Sequence, residues 1–179
     1  MQRRDFLWRS FGLAFVAAPL TALWGSRAAG GKTMASELGP DIQKLDKPKS
    51  EWRKLLKPDE YAILFEESTE PAGTSPLNRE KRNGTFICAA CYLPLFESRT
   101  KYESSTGWPS FFDYIKGRLG TKRDFKLILP RTEYHCARCG GHQGHVFDDG
   151  PPPTGLRYCN NGLALKFVPQ GEEPPALRT

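Results

Sequence analysis

The chain has 179 residues, 39% of them hydrophobic, with seventeen glycines, fifteen prolines and a net charge of +6. That length suits one compact domain plus tails, and no apolar run reaches the roughly 18 residues that a permanent membrane span needs. Three of the six charges sit in the first thirty residues (Arg3, Arg4, Arg9 and Arg27 less Asp5), so the remainder is a mildly basic surface and nucleic-acid binding is not expected.

In chain order, Arg3-Arg4-Asp5-Phe6-Leu7 opens a short basic region, an apolar stretch runs from Phe11 to Leu23, and Ser26-Arg27-Ala28-Ala29-Gly30 supplies small residues. This is the layout of a secretory signal, and the paired arginines resemble the twin-arginine type. Residues 1–29 are therefore expected to be a signal cleaved near Ala28 or Ala29, giving export to the bacterial periplasm. An uncleaved anchor or an organelle transit peptide is the alternative, and Asp5 weighs against the latter. Residues 30–49 read as a polar, flexible leader, 50–170 as the functional domain and 171–179 as a C-terminal tail.

Within the domain, Ser50 is the expected N-cap of a helix over Glu51–Leu56. Pro58 ends that turn and opens a second helix to about Glu66, with Tyr61, Leu64 and Phe65 on one face. Pro71, Gly73 and Pro76 mark a loop. Beyond the Asn83-Gly84 turn signal the pattern shortens to strand-like pieces. These are Thr85–Cys88, Phe125–Leu129, Glu133–Cys136, His145–Phe147, Leu156–Cys159 and Ala164–Val168. The expected class is mainly β, an antiparallel core with a small N-terminal helical lead-in.

Four of the five cysteines form two Cys-x-x-Cys knuckles, Cys88/Cys91 and Cys136/Cys139. Such a turn holds two thiolates at the spacing of a tetrahedral ion, and two turns complete a four-cysteine zinc shell with no open position. One structural zinc per chain is the expectation. Small disulfide loops and a thioredoxin-like redox pair are the competing readings of the same spacing. Twin-arginine export, which carries folded cargo, favours the metal.

Cys159 is left over, and an odd cysteine in an exported chain is an intermolecular bridge or a reactive thiol. Arg157, two residues away on a strand, faces the same side and favours a thiolate. Asn161 offers an amide to a sulfur or a substrate oxygen. His142 and His145, beside Gly144, are candidate acid/base partners of the thiol, whereas His135 next to a knuckle reads as structural. In Gly107-Trp108-Pro109-Ser110-Phe111-Phe112, both phenylalanines are expected in the core, and Trp108 is expected to present its ring to an apolar methyl group.

Gly-Trp-Pro-Ser-Phe at 107–111, Gly-His-x-Gly-His-Val-Phe at 141–147, Asp149-Gly150-Pro151, Arg157-Tyr158-Cys159-x-Asn161 and the two knuckles together resemble the methionine-R-sulfoxide reductases over about Ser50 to Pro169. The resemblance implies two antiparallel β-sheets with the zinc far from the active site. It implies Cys159 as nucleophile on the sulfoxide sulfur, with His142, His145 and Asn161 protonating the departing oxygen and positioning substrate. Trp108 and Phe147 would hold the substrate methyl group, and Arg157 and Asp149 would support the site. The implied partners are oxidised proteins or free methionine-R-sulfoxide as substrate, and a thioredoxin-like protein or small thiol as reductant. Many relatives place a resolving cysteine directly before Gly-Trp-Pro-Ser, where this chain has Thr106, so a one-cysteine enzyme is expected. The rival reading is a non-enzymatic zinc-ribbon binding module, which leaves Trp108, the histidine pair and Cys159 without roles.

Overall fold

A computed structural model describes residues 42–126 and 129–179. The expected signal and most of the leader lie outside the described residues. The first helix, α1, is Lys49–Leu55. Ser50 lies inside it and is not its cap: the Pro48 carbonyl accepts from Glu51 N at 2.9 Å and Trp52 N at 3.3 Å, starting the helix two residues earlier. Helix α2, Pro58–Glu66, has Pro58 as its first residue, a position where the missing N–H costs nothing. It ends at Glu67 in the left-handed conformation (φ 53°), with Ser68 N bonded to the Ala62 carbonyl. Trp52 of α1 stacks on Phe65 of α2 at 5.3 Å.

Among the described residues nine strands follow, all paired antiparallel. A three-stranded sheet has β1 (Gly84–Cys88) between β2 (Pro94–Glu97) and β9 (Leu165–Pro169). The six-stranded sheet runs β3-β4-β8-β7-β6-β5. Its members are β3 (Lys101–Tyr102), β4 (Ser110–Phe111), β5 (Leu119–Asp124), β6 (Arg131–Cys136), β7 (His142–Phe147) and β8 (Arg157–Asn160). The core lies where the two sheets meet. Phe96 of the small sheet stacks on Phe111 of the large one at 4.1 Å, and Phe86 meets Phe111 edge-on at 4.9 Å.

Two further expectations need correction. The strand placed at Phe125–Leu129 is instead β5, which ends at Asp124. Its register with β6, Leu119↔Cys136 to Asp124↔Arg131, puts Phe125 and Leu129 beyond the paired segment, where they are 72% and 77% exposed. Apolar character misled there, because β5 is an edge strand whose Thr121, Lys122 and Arg123 face water. Phe112 is only half-buried and outside the core cluster, while Phe111 is fully buried in it. Strands β2, β3 and β4 carry too few residues for a periodic signal and were not anticipated.

The C-terminal tail is tied back to the knuckles. Arg178 donates from its backbone to the Cys91 carbonyl and from its guanidinium to the Ala90 carbonyl, and lies 4.2 Å over the Tyr92 ring. Arg138, in the second knuckle, donates to the Arg178 carbonyl at 2.6 Å.

Candidate active site and metal centre

The knuckles converge. The four sulfurs of Cys88, Cys91, Cys136 and Cys139 all lie within 4.8 Å of one another. Cys88–Cys139 and Cys91–Cys136 are separated by 3.7 and 3.6 Å. A tetrahedron with Zn–S bonds of about 2.3 Å has edges of about 3.8 Å, so the set fits a tetrahedral thiophilic ion. None of the four is in a disulfide. Cys88 ends β1 and Cys136 ends β6, so an ion held here cross-links the two sheets.

The remaining thiol sits in the middle of the large sheet. Residues opposed across antiparallel strands share a face. The registers Tyr102↔Ser110, Ser110↔Cys159, His145↔Cys159, Glu133↔His145 and Lys122↔Glu133 lay a single polar row across all six strands. Cys159 lies between Ser110 and His145 in that row. The next row, Phe111↔Tyr158↔Val146, is apolar and faces the core. Gly144 is required behind the thiol, since a Cβ there would stand 1.9 Å from the Cys159 carbonyl oxygen.

Cys159 opens into a pocket of about 120 Å³ whose walls include Trp108, Arg131, His145, Phe147 and Asn161. A larger groove of about 620 Å³ at the edge of the small sheet carries no cysteine or histidine. The pocket therefore outranks it chemically despite its size. Trp108 is anchored by its indole N–H to the Glu70 carbonyl at 3.1 Å. Phe147 has the Arg157 guanidinium 4.3 Å over its ring, and Arg157 is held by a bidentate pair to Asp149 at 2.8 and 2.9 Å.

Burial pushes the Cys159 thiol up, against the pull of the Arg157 charge and a hydrogen bond from Thr106. Arg157 does favour the thiolate, as its spacing suggested, but desolvation is the larger effect. Burial likewise lowers His145, opposed by its Nε2 contact to Asp124 at 2.8 Å. Asp124 is held far below the usual carboxylate range, first by the Lys126 N–H and then by His145 and Arg131. His142 does not line the pocket. It is buried behind His145, ring centroids 5.5 Å apart, with Nδ1 3.0 Å from Glu133 in ion-pair contact but outside hydrogen-bond geometry. Asn161 reaches the pocket with both ends of its amide engaged: Oδ1 accepts from Glu70 N at 3.2 Å and Nδ2 donates to the Gln143 carbonyl at 3.1 Å.

Sequence reasoning missed Glu70, Asp124, Arg131, Glu133 and Gln143. The buried Glu70 carboxylate caps the backbone N–H groups of Gly162 and Leu163, some ninety residues away. Gln143 touches Cys88 Sγ and Asn160 at 3.5 Å each, linking the metal centre to the thiol-bearing strand. No local pattern marks these residues. Gln143 alone carried a hint, lying inside the His142–His145 segment.

Fold and site define a class: a mainly β protein, with four cysteines clustered to fit a metal ion, that presents one thiol in a small aromatic-walled pocket. Within that class the chain belongs to the SelR-domain family, whose model matches residues 56–169. It is 49% identical over 124 residues to peptide methionine sulfoxide reductase MsrB of Leptospira interrogans, covering 69% of this chain and 95% of that one. It is 48% identical over 130 residues to the protein of that name in Pseudomonas putida, covering 72% and 98%. Against peptide methionine sulfoxide reductase B1, chloroplastic, of Arabidopsis thaliana, identity is 43% over 144 residues, covering 76% and 71%.

Proposed function

We propose that this protein reduces methionine-R-sulfoxide, carried in oxidised polypeptides, by attack of Cys159 on the sulfoxide sulfur. The observation that carries the reading is the division of the five cysteines. Four are gathered in the metal centre, and the fifth stands in a pocket with His145, Trp108 and Phe147. Trp108 and Phe147 take the S-methyl group, and His145, oriented by Asp124, handles the proton. Asn161 shapes the wall, and Arg157, locked to Asp149, supports Phe147 and the thiolate. His142 acts from behind, through its contact with His145.

The proton count is consistent. A sulfoxide oxygen leaves only when protonated, and the raised Cys159 thiol carries the one proton required. Cys159–SH and R₂S=O give Cys159–SOH and R₂S: sulfur accepts oxygen, the thiol proton ends on it, and methionine is released. The sulfenic acid is the first rung of the thiol oxidation ladder. Two external thiols, from a thioredoxin-like donor or a small thiol, then return Cys159–SH, a disulfide and water. The metal, which we assign as zinc on the chemistry of four cysteine thiolates, is closed to substrate and holds the fold.

With His145 lowered and Cys159 raised, the pH profile of kcat/KM is a bell whose acid limb is His145 and whose alkaline limb is Cys159. Asp124→Asn removes the charge that props up the imidazole, so the acid limb moves to lower pH and the plateau falls about tenfold or more. An unmoved acid limb would show that His145 does not titrate in the reaction.

The deciding experiment is incubation of the metal-loaded protein with resolved methionine sulfoxide epimers and dithiothreitol. Consumption of the R epimer alone supports the reading, and turnover of neither favours a binding module. For residues 1–29 we propose a cleaved twin-arginine signal and periplasmic residence. N-terminal sequencing of the mature protein tests it, and an intact Met1 overturns it.

A further inference from the structure

The loop between α2 and β1 closes one side of the Cys159 pocket. Thr69 is among the pocket's walls, and the next residue, Glu70, is buried. Every polar group of Glu70 is engaged. Its backbone N–H donates to Asn161 Oδ1 at 3.2 Å, and its carbonyl accepts the Trp108 indole N–H at 3.1 Å. Its carboxylate accepts from Gly162 N at one oxygen and from Leu163 N, at 3.0 Å, at the other. Those two amides open the short 3-10 turn Gly162–Ala164, which follows directly on Asn161. One residue thus holds two pocket walls, Trp108 from the approach to β4 and Asn161 from the exit of β8.

The loop has a second anchorage beside Trp108. Gly73 N and Asn78 Nδ2 both donate to the Gly107 carbonyl, at 2.8 and 2.9 Å. Gly73 is left-handed (φ 81°), a conformation glycine adopts without strain. Packing on the Asn161 side is close as well: a Cβ at Gly162 would stand 1.9 Å from Ser75 Oγ and 3.1 Å from Glu70 Oε1. The loop therefore meets the Trp108 turn through backbone bonds and the Gly162–Ala164 turn through a carboxylate. Bonds from N–H groups to a carboxylate are stronger than neutral ones, and a buried N–H that loses its acceptor bears the full cost of desolvation. Removing the carboxylate frees the loop to shift, and with it the carbonyl that fixes the Trp108 ring.

We propose that Glu70 is a positioning residue that determines specificity: its carboxylate rivets the loop to the Gly162–Ala164 turn and so sets Trp108 and Asn161 at the spacing that gauges the substrate's S-alkyl group. The inference rests on the reading of Trp108 as the seat of the S-methyl group. A rigid wall admits methyl and resists ethyl, and one methylene in an apolar pocket is worth about 10–200-fold in kcat/KM. A wall that yields loses that discrimination.

The test compares kcat/KM for methionine-R-sulfoxide with that for its S-ethyl homologue, ethionine-R-sulfoxide, in metal-loaded full-length protein. Hydrogen exchange of the Trp108 indole N–H, followed by NMR beside the backbone amides of β1, needs no turnover. In Glu70→Ala the preference for methyl over ethyl should fall by about tenfold. Its indole N–H should exchange at least about tenfold faster relative to the β1 amides. Glu70→Gln, which keeps one acceptor oxygen, should move both readouts the same way by less. A parental preference in Glu70→Ala overturns the proposal, whatever the loss of stability. Indole exchange that quickens only in step with the β1 amides also overturns it, because that marks a purely structural carboxylate. If Glu70→Ala fails to fold, parental values in Glu70→Gln overturn it instead. The proposed function fails separately. A parent that reduces neither sulfoxide removes that function, while indole exchange still decides whether Glu70 holds Trp108. A parent that reduces the R epimer of both homologues alike keeps the function and overturns the specificity role.

Discussion

Cys159→Ser is expected to abolish sulfoxide turnover, a loss of at least roughly a thousandfold in kcat, while metal content and melting temperature stay close to the parent's. The reason is chemical. In the proposed reaction the sulfur both attacks and accepts the oxygen, and a serine hydroxyl has no oxidation state in which to hold it. The substitution is nearly isosteric, and Cys159 is only partly buried, in a pocket outside the metal cluster, so the fold has little cause to respond. Turnover with dithiothreitol and the R epimer, beside a melting curve, checks both halves. Activity within tenfold of the parent would remove Cys159 from the mechanism.

The second large effect falls on the metal centre. Cys91→Ser, or prolonged chelation, would remove one ligand or all four from the proposed ion, whose ligands lie at the end of β1 and the end of β6 and in the turns after them. Binding free energies of structural zinc in small domains are about 10–16 kcal/mol, while whole domains are stable by about 5–15 kcal/mol. The metal-free chain is therefore expected to lose its cooperative melting transition, or to melt at least about 20 °C lower. Four desolvated thiols would then lack the charge that drew them together. Melting followed with and without chelator, with metal measured on the same sample, decides it. A chelated protein melting at the parent temperature would mean that the core of Phe86, Phe96 and Phe111 holds the sheets together unaided.

The two effects are separable because the two sulfur chemistries share no residue of the pocket. Gln143 joins them: its side chain touches Cys88 and its carbonyl holds Asn161. That link was invisible in the one-dimensional pattern. So was Asp124, which lies 21 residues before His145 and meets it only because β5, β6 and β7 are neighbours. Trp108 and Phe147 were legible as pocket candidates, yet the Glu70 carbonyl that fixes Trp108 comes from a loop 38 residues earlier. The same long-range pairing explains the misplaced strand. Leu119–Asp124 reads as polar because both faces of this edge strand meet water at Thr121–Arg123, whereas Phe125–Leu129 reads as a strand from apolar content alone.

The sequence by itself determined the division of the cysteines, since Cys-x-x-Cys is a local geometry that brings its own two ligands together. It also determined the two helices, whose periodicity and Pro58 are local signals, and the association of a lone thiol with a nearby histidine pair. Only the tertiary structure decided which histidine faces the pocket and which lies behind it. A β-bulge between Tyr134 and His135 shifts the β6–β7 register at that end, and His142 comes to rest against Glu133 while His145 lines the pocket beside Cys159. Tertiary structure also decided the proton's resting place. Arg157 two residues from Cys159 pointed to a thiolate, but burial outweighs that charge and keeps the proton on sulfur. Desolvation is a property of everything packed around a group, and no spacing along a chain reports it.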